Sequence, residues 1–140
     1  MALPQPAEQS ASQPASPPAT HAVRILLIED EPISAGIVAA FLAPMRWARA
    51  VVETATTLRE ARARLRLEQF DLVITDLVLP DSRGIATLQA VTRACDRLVI
   101  VLTGDEEPGL REQALECGAY ELLRKGGLTA AGLERLLRLA

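Results

Sequence analysis

Leu72-Val73-Ile74-Thr75-Asp76-Leu77-Val78-Leu79-Pro80-Asp81 is the stretch whose reading decides the fold. Four residues suited to a buried strand run straight into one aspartate, and a loop follows, stopped by Pro80. An apolar run rich in branched side chains reads as a central parallel strand covered on both faces. Asp76 then lies at the carboxyl end of that strand. In an open α/β sheet this edge is where ligands bind. A lone buried charge is costly, so a carboxylate there needs partners at the rim.

Working outward, residues 23–28 read as a second buried strand, ended by Glu29-Asp30-Glu31-Pro32. Ile33, Ile37, Val38 and Phe41 recur at helical spacing on one face. Pro32 suits the first turn of that helix, and Pro44 ends it. Residues 48–53 form a short strand. Thr57-Leu58-Arg59-Glu60 has the form of a capping box and opens the next helix, with Leu58, Ala61 and Leu65 inward. Arg59, Arg62, Arg64 and Arg66 make its basic side, read as a solvated face rather than a phosphate-binding patch. Glu60 and Arg64 stand at the spacing of an i,i+4 ion pair.

Beyond Asp76, a helix over 84–93 turns Ile85, Leu88 and Val91 inward, and residues 98–102 form a strand ending at Thr103-Gly104. A helix over 108–116 stops at Gly118 in a left-handed conformation. Residues 120–123 form the last strand, ending at Arg124-Lys125-Gly126-Gly127. Leu133, Leu136, Leu137 and Ala140 give the final helix its apolar face. Five alternations of strand and helix predict an α/β fold. It is a doubly wound five-stranded parallel sheet with five helices on both faces.

A chain of 140 residues suffices for one domain with a full core. Aromatic residues are only 3%, so Leu, Val, Ile and Ala must build that core. A net charge of -3 argues against non-specific nucleic-acid binding, and no nucleic-acid partner is expected. No apolar run approaches the ~20 residues of a membrane helix, so no membrane partner is expected either. Cys95 and Cys117 lack CxxC spacing and read as free thiols in a reducing cytoplasm. His21 is the only histidine, which excludes histidine chemistry from the core. Residues 1–22, rich in Pro, Ala and Ser, read as a disordered tail and not a secretory signal, leaving 23–140 as the folded domain.

Four polar signals fall just past separate strand ends: Glu29-Asp30, Asp76, Thr103 and Lys125. Carboxylates brought together repel unless a cation neutralises them. Oxygen ligands, with no histidine or cysteine nearby, point to magnesium or another hard divalent ion. Thr103 offers a hydroxyl donor and Lys125 a mobile point charge. Nucleophile, metal and donors are the parts needed for phosphoryl transfer onto a carboxylate.

On these residues the chain resembles the receiver domain of two-component response regulators, over residues 23–139. The resemblance implies a flavodoxin-like receiver fold and a cytoplasmic signalling switch without turnover. It implies that Asp76 is phosphorylated by a histidine kinase or a histidine phosphotransfer protein. Glu29, Asp30, Asp76 and the backbone carbonyl of Val78 would bind Mg2+. Thr103 would contact the phosphoryl group and Lys125 would pair with it. Thr103 and Leu122 would form the switch face, read by a second copy or a downstream signalling partner. Leu110, Arg111 and Arg124 are expected there as well. Three positions depart from the family pattern. Gly126 stands where most receivers carry proline, Leu122 where an aromatic is usual, and Arg83 where an acid is common. Two other readings are a pseudo-receiver that binds partners without phosphorylation and a small magnesium phosphohydrolase with Asp76 as nucleophile. Val78 stands where that hydrolase would carry an acid-base group.

Overall fold

The structure, a computed structural model, describes residues 21–45, 48–104 and 107–139. In chain order it contains β1 (His21–Ile28), α1 (Pro32–Leu42), β2 (Ala48–Ala55), α2 (Leu58–Leu67) and β3 (Leu72–Thr75). Next come β4 (Val78–Leu79), β5 (Ser82–Arg83), α3 (Ile85–Ala94), β6 (Leu98–Thr103), α4 (Leu110–Glu116), β7 (Glu121–Arg124) and α5 (Ala130–Leu137). Five strands form one sheet in the order β2-β1-β3-β6-β7. Every neighbouring pair in it is parallel. The winding direction reverses between β1 and β3, which leaves a crevice beyond their carboxyl ends. The strand that runs into Asp76 is central, as its apolar run requires.

Successive strand residues point to opposite faces, and each face has its own helices. Leu26, Ile28, Val73, Val99, Val101 and Leu122 pack with Ala61 of α2, Leu88 and Val91 of α3, and Ala114 of α4. Ile25, Leu27, Leu72, Ile74 and Ile100 pack with Val38 and Leu42 of α1 and Leu133 and Leu137 of α5. Burying a Leu or Ile side chain contributes roughly 1.5–3 kcal/mol, so these two layers dominate the stability of the fold.

Boundaries shift by a residue or two where backbone pairing outruns the apolar pattern. β1 starts at His21 because His21 and Ala22 pair with Ala48 and Arg49. Two residues assigned to the tail therefore belong to the sheet. The rest of that tail, residues 1–20, lies outside the described residues. β2 continues to Ala55, and Glu29 N–H extends the pairing to Ala55 O at 2.9 Å. The helix expected over 108–116 begins at Leu110, after a left-handed Gly109 with φ 82°. The left-handed stop at Gly118 is present, with φ 105°. The last strand runs Glu121–Arg124 rather than over 120–123, and Tyr120 is exposed. Ala140, expected on the last helix's face, lies outside the described residues.

Three side-chain expectations are corrected. Ile33 is 73% exposed and Ile37 is 44% exposed, whereas Val38 and Leu42 are buried. This helix is apolar on several sides, so spacing alone does not decide which stripe meets the sheet. Glu60 does not pair with Arg64. Its Oε1 accepts from Thr56 N–H at 2.9 Å, completing a box in which Thr57 Oγ1 accepts from Glu60 N–H at 3.0 Å. Arg64 turns away from the basic side to Glu53 and Glu68, which also hold Arg24. The two guanidiniums lie over the Phe70 ring. Hydrogen bonds from Arg64 and then Arg24 hold the Glu68 carboxyl down at about 2.

Val78–Leu79 and Ser82–Arg83 pair as a two-stranded antiparallel hairpin where a plain loop was expected. At its turn, the Asp81 carboxylate accepts from Leu58 N–H at 2.8 Å and from Arg59 N–H at 3.0 Å. Those N–H groups belong to the first turn of α2 and lack helical partners. Asp81 thus caps a helix 23 residues away and fixes the loop that follows Asp76. Its carboxyl is held below its usual value by the bond from Leu58 N–H, despite some desolvation. Asp81→Ala should cost about 1 kcal/mol in a denaturant melt, the usual cost of losing an N-terminal cap. An unchanged midpoint would mean that water replaces the carboxylate without loss.

Candidate functional site

The register of the sheet sets three of the site residues side by side. Ile28 pairs with Thr75, and Thr75 with Val101. Each of β1 and β3 then ends, releasing Glu29 and Asp76. β6 runs two residues further, and Thr103 pairs with Arg124. The next residue, Lys125, leads a single 3-10 turn, Lys125–Gly127. Gly126, in the usual proline position, is exposed within that turn.

Asp76 is 7% exposed and Glu29 only 3%. The Asp76 N–H donates to Ile28 O at 3.0 Å, anchoring the residue to β1. Its Oδ1 accepts from Leu77 N–H at 2.6 Å and from Val78 N–H at 3.3 Å. Its Oδ2 accepts from Lys125 Nζ at 2.9 Å. The same Nζ lies 2.7 Å from Glu29 Oε1. Glu29 Oε2 accepts from Glu31 N–H at 3.1 Å. Glu31 itself faces away and caps α1 by accepting from Ile33 N–H at 3.0 Å, the helix-start role its sequence position suggests.

Two buried carboxylates therefore share one lysine. Burial pushes the Glu29 carboxyl above its usual value, and the nearby Asp76 charge adds to this. The bonds from Lys125 and Glu31 only partly offset it. For Lys125, burial alone would lower the ammonium's pKa, but the bonds to Glu29 and Asp76 outweigh it and raise it. The site is polarised in the way catalytic and ligand sites are.

The expected gathering of three carboxylates is not formed. Asp30 is exposed. Among the described residues no three His, Cys, Asp or Glu side chains lie close enough together to hold a metal. The reason is electrostatic: like charges separate, and Lys125 supplies the cation between the two that are buried. Glu29 and Asp76 nevertheless converge on a single positive centre within 3 Å. All their ligand atoms are oxygens. One or two carboxylates with carbonyl and water oxygens make a hard-cation set, so this pair fits magnesium. Asp30, next in the chain, and the Val78 carbonyl are the further oxygens within the same segments.

Thr103 is 1% exposed at the end of β6. Alternation along β6 places it on the same face as Val99 and Val101, and Leu122 lies beside Val101. Leu122 and Leu110 are both buried, at 6% and 4% exposure. That corrects the expectation that they present themselves to a partner. An apolar residue in the inner half of an edge strand packs under α4 instead. Arg111 crosses from α4 to β7 and pairs with Glu121 at 2.8 Å. The bridge from Lys125 to Glu29 was not foreseen, because it follows from the burial of Glu29, which no local feature of the sequence announces. Once buried, a strand-end glutamate requires a cationic partner.

Among the described residues no helix is long and apolar enough to cross a membrane. Cys95 and Cys117 are both free thiols, as expected.

Comparison with known proteins gives a consistent answer. Residues 25–136 match the response regulator receiver domain family. The transcriptional activator protein IrlR of Burkholderia pseudomallei is 34% identical over 109 residues, 74% of this chain and 44% of that protein. The chain thus spans less than half the length of that relative. Its being a transcriptional activator leaves the expectation of no nucleic-acid partner unsupported. The beryllofluoride-activated NtrC4 receiver domain dimer is similar with a TM-score of 0.71 at 26% identity, over 83% of this chain and 93% of that one. The receiver domain of sensor histidine kinase PA1611 from Pseudomonas aeruginosa PAO1 shares the fold, with a TM-score of 0.70 at 24% identity. It covers 84% of this chain and 96% of that one, and it has a magnesium ion coordinated in its active site cleft. A family match spanning every strand of the sheet but the first residues of β1 leaves one conclusion: this chain belongs to the response regulator receiver domains of two-component systems.

Proposed function

We propose that this receiver accepts a phosphoryl group on Asp76 from a histidine kinase or a histidine phosphotransfer protein, with magnesium, in the cytoplasm. The observation that carries the reading is the lysine bridge. Lys125 Nζ lies 2.9 Å from Asp76 Oδ2 and 2.7 Å from Glu29 Oε1. A cation is thereby poised beside the one carboxylate held at the sheet edge by two backbone N–H groups.

An Asp76 oxygen would attack phosphorus while the bond to the donor nitrogen breaks, the departing imidazole keeping the electron pair. Charge then builds on the phosphoryl oxygens. Lys125 and the Thr103 hydroxyl are the donors that would meet it, and such preorganised donors are worth most in a buried site. Glu29, Asp30, Asp76 and the Val78 carbonyl would hold magnesium, which supplies neutralisation of phosphoryl charge when bound. Val78 stands two residues after Asp76, where a phosphohydrolase would carry an acid-base group, which favours a switch over a turnover enzyme.

Incubation with acetyl phosphate and magnesium should add one phosphoryl group per chain, read by intact mass. Asp76→Asn should remove the addition altogether. Undiminished labelling of the variant would reject Asp76 as the acceptor. No labelling of the wild type by acetyl phosphate or by a phosphorylated histidine donor would favour the pseudo-receiver.

A further inference from the structure

The arginines of α2 divide into two sets. Arg64 is committed to Glu53 and Glu68 beneath the helix. Arg59, Arg62 and Arg66 stay exposed on the opposite side, joined across the helix pair by exposed Arg93 of α3. Among the described residues none of these four guanidiniums makes an ion pair. Arg62, Arg66 and Arg93 border a groove of about 390 Å³ between α2 and α3, whose other lining residues are Ala90 and Ala94. An adjoining groove of about 360 Å³ continues past Arg59 and Ala63 to Asp81.

Helix dipoles explain part of this set. Arg66 and Arg93 lie in the last turns of their helices, where a cation is favoured. Arg59 lies in a first turn, where a cation is disfavoured, and Arg62 lies between. The dipole does not account for these two, although the charge of Arg59 helps hold the Asp81 carboxyl down. The spacing Arg59, Arg62, Arg66 is one face of a helix over two turns, roughly 10 Å long. All four are arginines, whose planar forks suit paired oxygens rather than general solubility.

We infer that the α2–α3 groove is a docking surface for an acidic helical segment of a partner protein. Acidic side chains at i, i+3 and i+7 would face Arg59, Arg62 and Arg66 in register. The small Ala63, Ala90 and Ala94 would let the partner's backbone approach closely. Arg93 would close the far side. Duplex DNA is the poorer occupant. The chain carries a net charge of -3, and four arginines would neutralise only about four phosphates, so counterion release would add little affinity. The surface lies on the helices flanking β3 and does not depend on whether Asp76 is phosphorylated.

The test uses a labelled 18-residue helical peptide with Glu at every third and fourth position, titrated against the full chain by fluorescence anisotropy. Saturable binding should weaken on adding salt. Paired Arg62→Ala and Arg66→Ala substitutions should weaken it at least tenfold. Arg62→Lys with Arg66→Lys should weaken it less, and Arg135→Ala on α5 should not weaken it. Amide shifts on titration should map to α2 and α3. Equal loss from Arg135→Ala, or shifts spread over the whole surface, would overturn the assignment as non-specific charge attraction. Tighter binding of a 20-base-pair duplex through the same arginines would overturn it in favour of nucleic acid.

Discussion

Replacing Lys125 with methionine should destabilise the metal-free domain by about 3 kcal/mol at neutral pH, the range found when one partner of a buried ion pair is removed. The side chains of Glu29 and Asp76 are only 2% and 8% exposed, and no cation would then lie between them. Lys125 is itself 25% exposed, which places the loss at the lower end of that range. The loss should depend on pH in a definite direction. Burial already raises the Glu29 carboxyl, and Lys125 is among the groups that restrain it. Without the lysine it rises further. A carboxyl raised in the folded state binds protons there before the unfolded chain does, so lowering the pH favours folding of the variant. The deficit should therefore shrink as pH falls through the raised value and be smallest below the ordinary carboxylate range. In the wild type, the lysine's contribution is present below its unfolded value and lost only as strong alkali takes its proton. Glu29→Gln combined with Lys125→Met should recover most of the loss. Urea melts at pH 8 and pH 5 give the answer. An equal deficit at both would mean that Lys125 acts through its methylene packing, and the electrostatic account of the site would fail.

The sequence carried the sheet because its signal is redundant. The residues 72–75 run, the 98–102 run and the 23–28 run each lack charge over a strand's length, apart from Arg24 in the last, and each is followed by a polar residue. Their order along the chain then leaves few topologies. It carried the candidate site for the same reason, since Glu29, Asp76, Thr103 and Lys125 each stand at or just past the end of a strand. What it could not carry were choices made between distant surfaces. Ile33 and Val38 are equally apolar, and only the fit against β1 and α5 sends Val38 in and leaves Ile33 in water. Arg64 had Glu60 at helical spacing, yet Glu53 and Glu68 offered a shared site over Phe70. Asp81 reads as a turn residue, and nothing local says that its carboxylate ends another helix. The lysine bridge is of this kind too. Spacing placed Lys125 at the rim, but its reach to Glu29 depends on how deeply Glu29 is buried.

Magnesium should stabilise the domain, because the folded pair Glu29 and Asp76 presents converging oxygens that the unfolded chain does not. At ~100 times the dissociation constant the gain is about 2.7 kcal/mol. The lysine sets the size of that gain. In the metal-free state Lys125 already offsets the repulsion between the two carboxylates, so an added cation relieves only what the lysine leaves. In Lys125→Met nothing is offset beforehand, and the stabilisation at a fixed magnesium concentration should be larger than in the wild type. Asp30 tests the other edge of the site. Its carboxylate is exposed and apart from the buried pair, so it costs the metal-free fold little, and Asp30→Asn should leave that state nearly as stable. If Asp30 supplies a ligand or a water-held contact, the same substitution should reduce the magnesium gain. Thermal melts across a magnesium titration, with calcium and sodium chloride as controls at matched ionic strength, separate binding from screening. A wild-type midpoint that follows ionic strength alone would remove the metal from this site. A gain unaffected by Asp30→Asn would confine the ligands to Glu29, Asp76 and backbone.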